Sequence, residues 1–149
     1  MLFALVIALA GAPLVAEPMR VSSGSMAPLY EPGDEVLVVK VGSRSRKPRR
    51  NDVIVLRAGP AEELMIKRVV ALGGDRVSIA DGVLVVNSRR VAEPYVDHAR
   101  VDATYFGPVR IPREAVWVLG DARAGSVDSR VFGAVPSDAI VGLVVAQVW

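Results

Sequence analysis

Two hydrophobic patterns divide the chain. Residues 2–16 contain no charged or strongly polar side chain, and Glu17 and Arg20 end this run. A continuous apolar run at the N-terminus is typical of a membrane anchor or a secretory signal. As a helix at about 1.5 Å per residue it would be roughly 22 Å long, shorter than the roughly 30 Å hydrocarbon core of a bilayer. Gly11 and Pro13 weaken the helix further.

We predict that residues 1–17 form an uncleaved N-terminal transmembrane anchor helix rather than a signal that is removed. A secretory signal carries Lys or Arg ahead of its apolar run, and here only the α-amino group precedes it. The serine-rich motif that begins at Val21 also leaves no room for a separate linker. A trimmed start would explain why the anchor lacks a basic flank, and the cleaved signal remains the alternative.

Beyond residue 17 the pattern changes to short Val-rich segments separated by Gly, Pro and Asp, which is typical of strands. We predict a mainly β domain over residues 18–149, with a strand from about Glu35 to Val41. The Asp81-Gly82 pair between two apolar segments predicts a hairpin turn. This hairpin belongs to a small cap over residues about 75–113. No sustained helical period follows the anchor.

Composition and charge exclude several classes of site. The 149 residues suit one domain, and with no cysteine and a single histidine, His98, we expect no metal and no cofactor. The net charge of +2 is too small to indicate nucleic acid. One loop is strongly basic, but no aromatic side chain is interleaved to stack on bases, so we expect no nucleic-acid partner. Its cations are Arg44, Arg46, Lys47, Arg49 and Arg50.

The stretch "VSSGSMAP", residues 21–28, places serines on both sides of a glycine. Such a cluster is common in loops, but a serine nucleophile with a nearby base would also use it. His98 lies in polar surroundings, whereas Lys67 in "LMIKRVVAL" is flanked by apolar residues. Burial lowers the pKa of a lysine and makes it a possible base. This segment alone favours the alternative, a lysine at a strand edge that keeps its charged end in water.

A third cluster, "GDARAGSVDSRVFG", completes an ordered set with "SGSMAP", "PGDEVLVVK", "MIKRVVALGGD" and "DGVLVVNSRRVAEPY". Together these segments resemble the type I signal peptidases of the bacterial Ser-Lys branch, over nearly the whole chain. The resemblance implies a compact, antiparallel, β-barrel-like catalytic core. It also implies a membrane-bound serine endopeptidase that removes N-terminal signal peptides from translocated precursors and cuts after small residues of the Ala-x-Ala type.

Carried over position by position, the resemblance makes Ser25 the nucleophile and Lys67 its general base. The backbone N–H of Ser25 and the hydroxyl of Ser23 would form the oxyanion hole, and Ser126 would orient the lysine. Two further matches are structural ion pairs: Arg68 with Asp121, and Asp128 with Arg130.

The resemblance also implies a location and partners. We expect a single-pass protein of the cell membrane whose catalytic domain lies on the extracytoplasmic side. It would bind signal peptides of secretory precursors and the lipid bilayer, and act as a monomer. A specialised maturation peptidase for a single precursor and an inactive β-barrel binding module remain alternatives. A self-cleaving repressor of the Ser-Lys type would need a DNA-binding domain, for which the chain has no room.

Overall fold

The computed structural model describes residues 5–9, 12–42, 46–101 and 105–148, with only the backbone described before residue 15. These residues form two antiparallel sheets. The larger has eight strands in the order β1 (Leu5–Leu9), β2 (Ala12–Arg20), β3 (Glu35–Lys40), β12 (Ile140–Gln147), β4 (Val53–Ala58), β5 (Glu63–Leu72), β10 (Ala115–Leu119) and β11 (Val135–Pro136). The smaller has the order β8 (Arg89–Arg90), β7 (Val83–Val86), β6 (Arg76–Ala80) and β9 (Phe106–Arg110). Short helical turns lie at Gly24–Met26, His98–Arg100, Ser129–Phe132 (α1) and Ser137–Ala139.

The strands follow from their apolar patterns. β3 alternates, so that Val36 and Val38 are buried while their neighbours are partly exposed. β10 is buried along its whole length, as expected of a strand covered on both faces. The small sheet packs on the large one, because Ile79 and Leu84 share a core cluster with Trp117. The predicted mainly β, antiparallel core is therefore confirmed.

The predicted hairpin turn is also present. β6 and β7 pair as an antiparallel hairpin. Asp81 and Gly82 have φ values of 50° and 72°, the left-handed conformation that a tight hairpin turn needs at both central positions. All four strands of the small sheet fall between residues 76 and 110.

The N-terminal segment differs from its prediction. Its described residues do not form an anchor helix: Leu5–Leu9 and Ala12–Arg20 are paired antiparallel strands, and Ala12–Arg20 continues the large sheet beside β3. A continuous apolar run has no period that separates a strand from a helix, and Pro13 and Pro18 disfavour a helix interior. In the described part of the chain, no helix has the length and apolar character needed to cross a bilayer.

Some predicted features fall wholly or partly outside the described residues. These are residues 1–4, 10 and 11 of the predicted anchor and Arg44 of the basic loop. Two other cations of that loop bind carboxylates: Arg46 pairs with Asp52 at 2.6 Å, and Arg50 pairs with Asp75 at 2.8 Å. The two arginine side chains are about half exposed, as in a solvated loop.

Candidate active site

The serine cluster forms a short 3-10 turn, Gly24–Met26, after β2. Met26 is 1% exposed and packs into the core with Val36 and Ile66. The carbonyl oxygen of Ser25 accepts a hydrogen bond from the backbone N–H of Ala122 at 3.0 Å. The turn is therefore held from below by an apolar side chain and from the side by the loop after β10.

Lys67 and Ser25, 42 residues apart in sequence, are in direct contact. Lys67 lies on β5 and donates from Nζ to Ser25 Oγ at 2.7 Å. Its side chain is almost fully buried, and this burial lowers the pKa of the ammonium below its usual 10.5. The negative charge of Asp128 opposes the shift in part. Once the amine is neutral, the same contact allows the Ser25 hydroxyl to donate its proton to Nζ.

Ser23 lies at the mouth of the same site. Its hydroxyl donates to Ser25 Oγ at 3.4 Å, and its backbone is extended, with φ −139°. The side chain is exposed, whereas Ser25 is half-buried. A hydroxyl donor and the backbone N–H of Ser25 thus lie beside the nucleophile candidate, where an oxyanion hole would be needed.

Ser126 lies close to this pair, but it makes no hydrogen bond to Lys67. Its Oγ is buried and has no hydrogen-bond partner among the described residues. A Cβ built on Gly120 would lie 2.2 Å from Ser126 Oγ and 2.7 Å from the carbonyl oxygen of Ser25. The absence of a side chain at Gly120 is what lets Ser126 come so close to the backbone of Ser25.

Both predicted ion pairs are present. Arg68 binds Asp121 through two hydrogen bonds, of 2.8 and 2.6 Å, and both side chains are buried. Asp128 likewise accepts two hydrogen bonds from Arg130, each of 2.9 Å. Asp128 also accepts from the backbone N–H of Gly120 at 3.1 Å. These pairs brace the strand that carries Lys67 and the loop that faces Ser25.

A third buried pair, Glu93 with Arg123, was not predicted from the sequence. Arg123 donates to both carboxylate oxygens of Glu93, at 3.0 and 2.5 Å, with both side chains almost fully buried. Arg123 stands inside the recognised "GDARAGS" segment, which is the one signal that could have drawn attention to it. Glu93 lies in an irregular connection, where no period indicates a buried charge.

His98 is not part of the site. It lies on an exposed helical turn, and it does not line the cleft that contains Ser25. Within residues 5–9, 12–42, 46–101 and 105–148, no group of three or more His, Cys, Asp or Glu side chains is arranged to hold a metal ion. At this cleft the described geometry brings serine hydroxyls into contact with a buried amine.

The cleft has a volume of about 420 Å³ and an open strand edge along one wall. It is lined by the serine turn, by Glu63–Lys67 of β5 and by small residues of the loop after β10. β10 pairs with β5 only from Arg68 to Leu72, so residues 63–67 have no described strand partner on that side. An extended peptide can add to such an edge through main-chain hydrogen bonds.

Comparison with known proteins agrees with this geometry. The family model "Signal peptidase, peptidase S26" matches residues 1–149. A probable signal peptidase I-2 of Synechocystis sp. is 32% identical, over 100% of this chain and 70% of that protein. Signal peptidase I V of Bacillus subtilis is 33% identical, over 84% of this chain and 81% of that protein.

A solved structure has the same fold. The crystal structure of a signal peptidase I from Enterococcus faecalis V583 superposes with a TM-score of 0.60 at 26% sequence identity. The match covers 67% of this chain and 98% of that one. A family model that spans the whole chain, relatives above 30% identity and a shared fold lead to one conclusion: the chain belongs to the signal peptidase family, peptidase S26.

Proposed function

We propose that this protein is a membrane-associated signal peptidase I in which Ser25 is the nucleophile and Lys67 the general base. Family membership assigns the activity, that of a serine endopeptidase that removes signal peptides. The observation that supports these residue roles is the 2.7 Å contact between Lys67 Nζ and Ser25 Oγ, made by a lysine that is 3% exposed.

The reaction is acyl transfer in two steps. Neutral Lys67 takes the proton of the Ser25 hydroxyl as Oγ attacks the scissile carbonyl, and then gives it to the leaving amine. The leaving amine is the N-terminus of the mature protein. Water then attacks the resulting ester with the same lysine as base, the lysine returns that proton to Ser25 Oγ, and the signal peptide leaves as a free acid. Burial favours the neutral amine that both steps require.

The oxyanion of each tetrahedral intermediate is stabilised by the backbone N–H of Ser25 and the hydroxyl of Ser23. Ser23 Oγ is 3.4 Å from Ser25 Oγ, which places a donor on the nucleophile's side of the cleft. Ser126 orients Lys67 when the substrate excludes water from the site, which would give its buried hydroxyl a partner. Asp121 and Arg130 act through their ion pairs and take no part in bond making.

The substrate binds as an extended strand. The unpaired edge of Glu63–Lys67 supplies main-chain hydrogen bonds. Small residues that line the cleft, Ala122, Ala124 and Gly125, leave shallow spaces that suit alanine-sized side chains before the cut. This combination supports cleavage after an Ala-x-Ala segment.

The same cleft supports a location at the outer surface of the cell membrane. Leu64 and Val127 line it and are 44% and 51% exposed, so its rim can contact lipid as well as an apolar signal segment. Translocated precursors reach that side of the bilayer while still attached by their signal peptides.

The test is cleavage of a precursor with an Ala-x-Ala site by the purified full chain in detergent, with the cut position read by mass spectrometry. We expect a cut after the second alanine, lost in Ser25→Ala and Lys67→Ala but retained in Ser78→Ala, a serine of the small sheet outside the cleft. Continued cleavage by folded Ser25→Ala would refute the assigned nucleophile. A narrow maturation peptidase would cut one precursor only, and an inactive module none.

A further inference from the structure

The buried pair of Glu93 and Arg123 joins two distant parts of the chain. Glu93 lies in the connection that follows β8, and Arg123 in the loop that follows β10. They are 3% and 1% exposed, and the guanidinium holds both carboxylate oxygens, at 3.0 and 2.5 Å. Neither residue has a role in the reaction described above.

Arg123 also reaches the loop that faces the nucleophile. Its Nε donates to the carbonyl oxygen of Gly120 at 2.9 Å, and its own carbonyl accepts from Arg130 at 2.8 Å. Ala122 lies between Gly120 and Arg123 in this loop, and its backbone N–H donates to the carbonyl oxygen of Ser25 at 3.0 Å. The position of the Ser25 backbone therefore depends on a loop whose shape the guanidinium sets.

The connection that carries Glu93 makes a second contact behind the site. The ring of Tyr95 lies against Arg68, with the guanidinium carbon 4.0 Å from the ring centroid. Tyr95 also donates from its hydroxyl to Glu93 at 3.3 Å. Arg68 directly follows Lys67 on β5 and binds Asp121 in the same loop. The segment 93–95 thus contacts supports of both the nucleophile and its base.

We propose that Glu93 and Arg123 are positioning residues for the peptidase reaction, because their pair holds loop 120–123 in the shape that fixes the carbonyl of Ser25. This inference rests on the proposed function. A buried ion pair is generally no better for stability than apolar side chains of similar size. The hydrogen bond from Arg123 to the Gly120 carbonyl supports a role in holding the shape of the loop, because an apolar side chain could not make that bond.

The first test replaces both charges, as Glu93→Met with Arg123→Met, so that no charge is left buried and unpaired. We expect a protein that unfolds at a temperature near that of the wild type. Cleavage of the Ala-x-Ala precursor should fall about tenfold or more in kcat, with KM within about twofold, since a displacement of about 1 Å can cost that much. The acid limb of the pH profile should move to higher pH as water reaches Lys67. Arg50→Met, which breaks an exposed pair, is the control.

A second variant covers failure of the double variant to fold. Arg123→Lys keeps a cation beside Glu93 but has a methylene group in the place of Nε, so the Gly120 carbonyl loses its donor. We expect the same fall in kcat and the same shift of the pH profile. Wild-type kcat and pH profile in either folded variant would overturn the proposal while leaving the peptidase assignment intact. Absence of cleavage by the wild type would instead refute the proposed function.

Discussion

Gly120 is the position where a single methyl group tests the geometry of the site most directly. A Cβ added there would meet Ser126 Oγ at 2.2 Å, Ser126 Cβ at 2.8 Å and the Ser25 carbonyl oxygen at 2.7 Å. Rotation of the Ser126 hydroxyl cannot relieve this crowding, because a backbone oxygen and Cβ are also too close. Gly120→Ala must therefore displace the backbone of Ser25, Ser126 or both.

The size of the effect follows from these distances. To reach an ordinary contact of 3.4 Å, Ser126 Oγ has to move about 1.2 Å from the new Cβ. Overpacking of this kind costs about 1–3 kcal/mol of stability, which lowers Tm by several degrees in a chain of this size. A displacement of about 1 Å at reacting groups lowers kcat by about 100-fold. Loss of rate should therefore greatly exceed loss of folded protein.

The assay compares Gly120→Ala with Gly142→Ala. A Cβ at Gly142 would meet Val38 Cγ1 at 2.4 Å and the Val39 carbonyl oxygen at 2.8 Å, and neither residue lines the cleft. Both variants are unfolded in urea, and kcat is measured on the precursor under conditions where each is folded. The reasoning fails if folded Gly120→Ala keeps kcat within about twofold of the wild type, or if Gly142→Ala loses as much.

Three further predictions concern charge. Cleavage should rise with pH along a limb whose midpoint lies below 10.5, since burial lowers the pKa of Lys67; loss of this limb in His98→Gln would contradict the assignment. Because the unfolded chain binds the Lys67 proton more tightly, the free energy of unfolding should rise with pH from the lowered pKa up to 10.5, and urea titrations of Lys67→Met should lack this rise. Arg68→Met leaves the buried Asp121 carboxylate unpaired and should cost about 3–5 kcal/mol. Arg46→Met, at an exposed pair, should cost about 1 kcal/mol or less, and equal losses would contradict this reasoning.

The sequence correctly predicted a hairpin turn and a strand, because short runs of residues determine both of them. The Asp81-Gly82 turn forms because two successive residues adopt positive φ, and few residue pairs do so readily. The strand predicted from about Glu35 to Val41 runs from Glu35 to Lys40, because its alternating valines face the core. In both places the signal is contained in fewer than ten residues, and tertiary structure does not override it.

The predicted N-terminal helix is wrong over the described residues of that segment, which form paired strands. An apolar run satisfies a helix in lipid and a strand paired in a sheet equally well. The outcome at Ala16 depends on whether a neighbour is available, and β3 supplies one in its register with Val39. Glu17 and Lys40, the residues that follow Ala16 and Val39, form an ion pair at 2.7 Å between the same two strands.

In the candidate active site, the sequence predicted the two reacting residues but not the buried ion pair behind them. Ser25 stands in a serine cluster and Lys67 in an apolar segment, and the resemblance to the signal peptidases is what linked the two. The partner of Arg123 is 30 residues away and lies in a connection without periodicity, so only the path of the chain determines that it is Glu93. A buried charge must be paired wherever it lies, so the buried Arg123 requires a carboxylate partner, but the residues around it do not indicate which one. Supports of this kind become visible only when the fold brings their two halves together, although the precision of the catalytic contact depends on them.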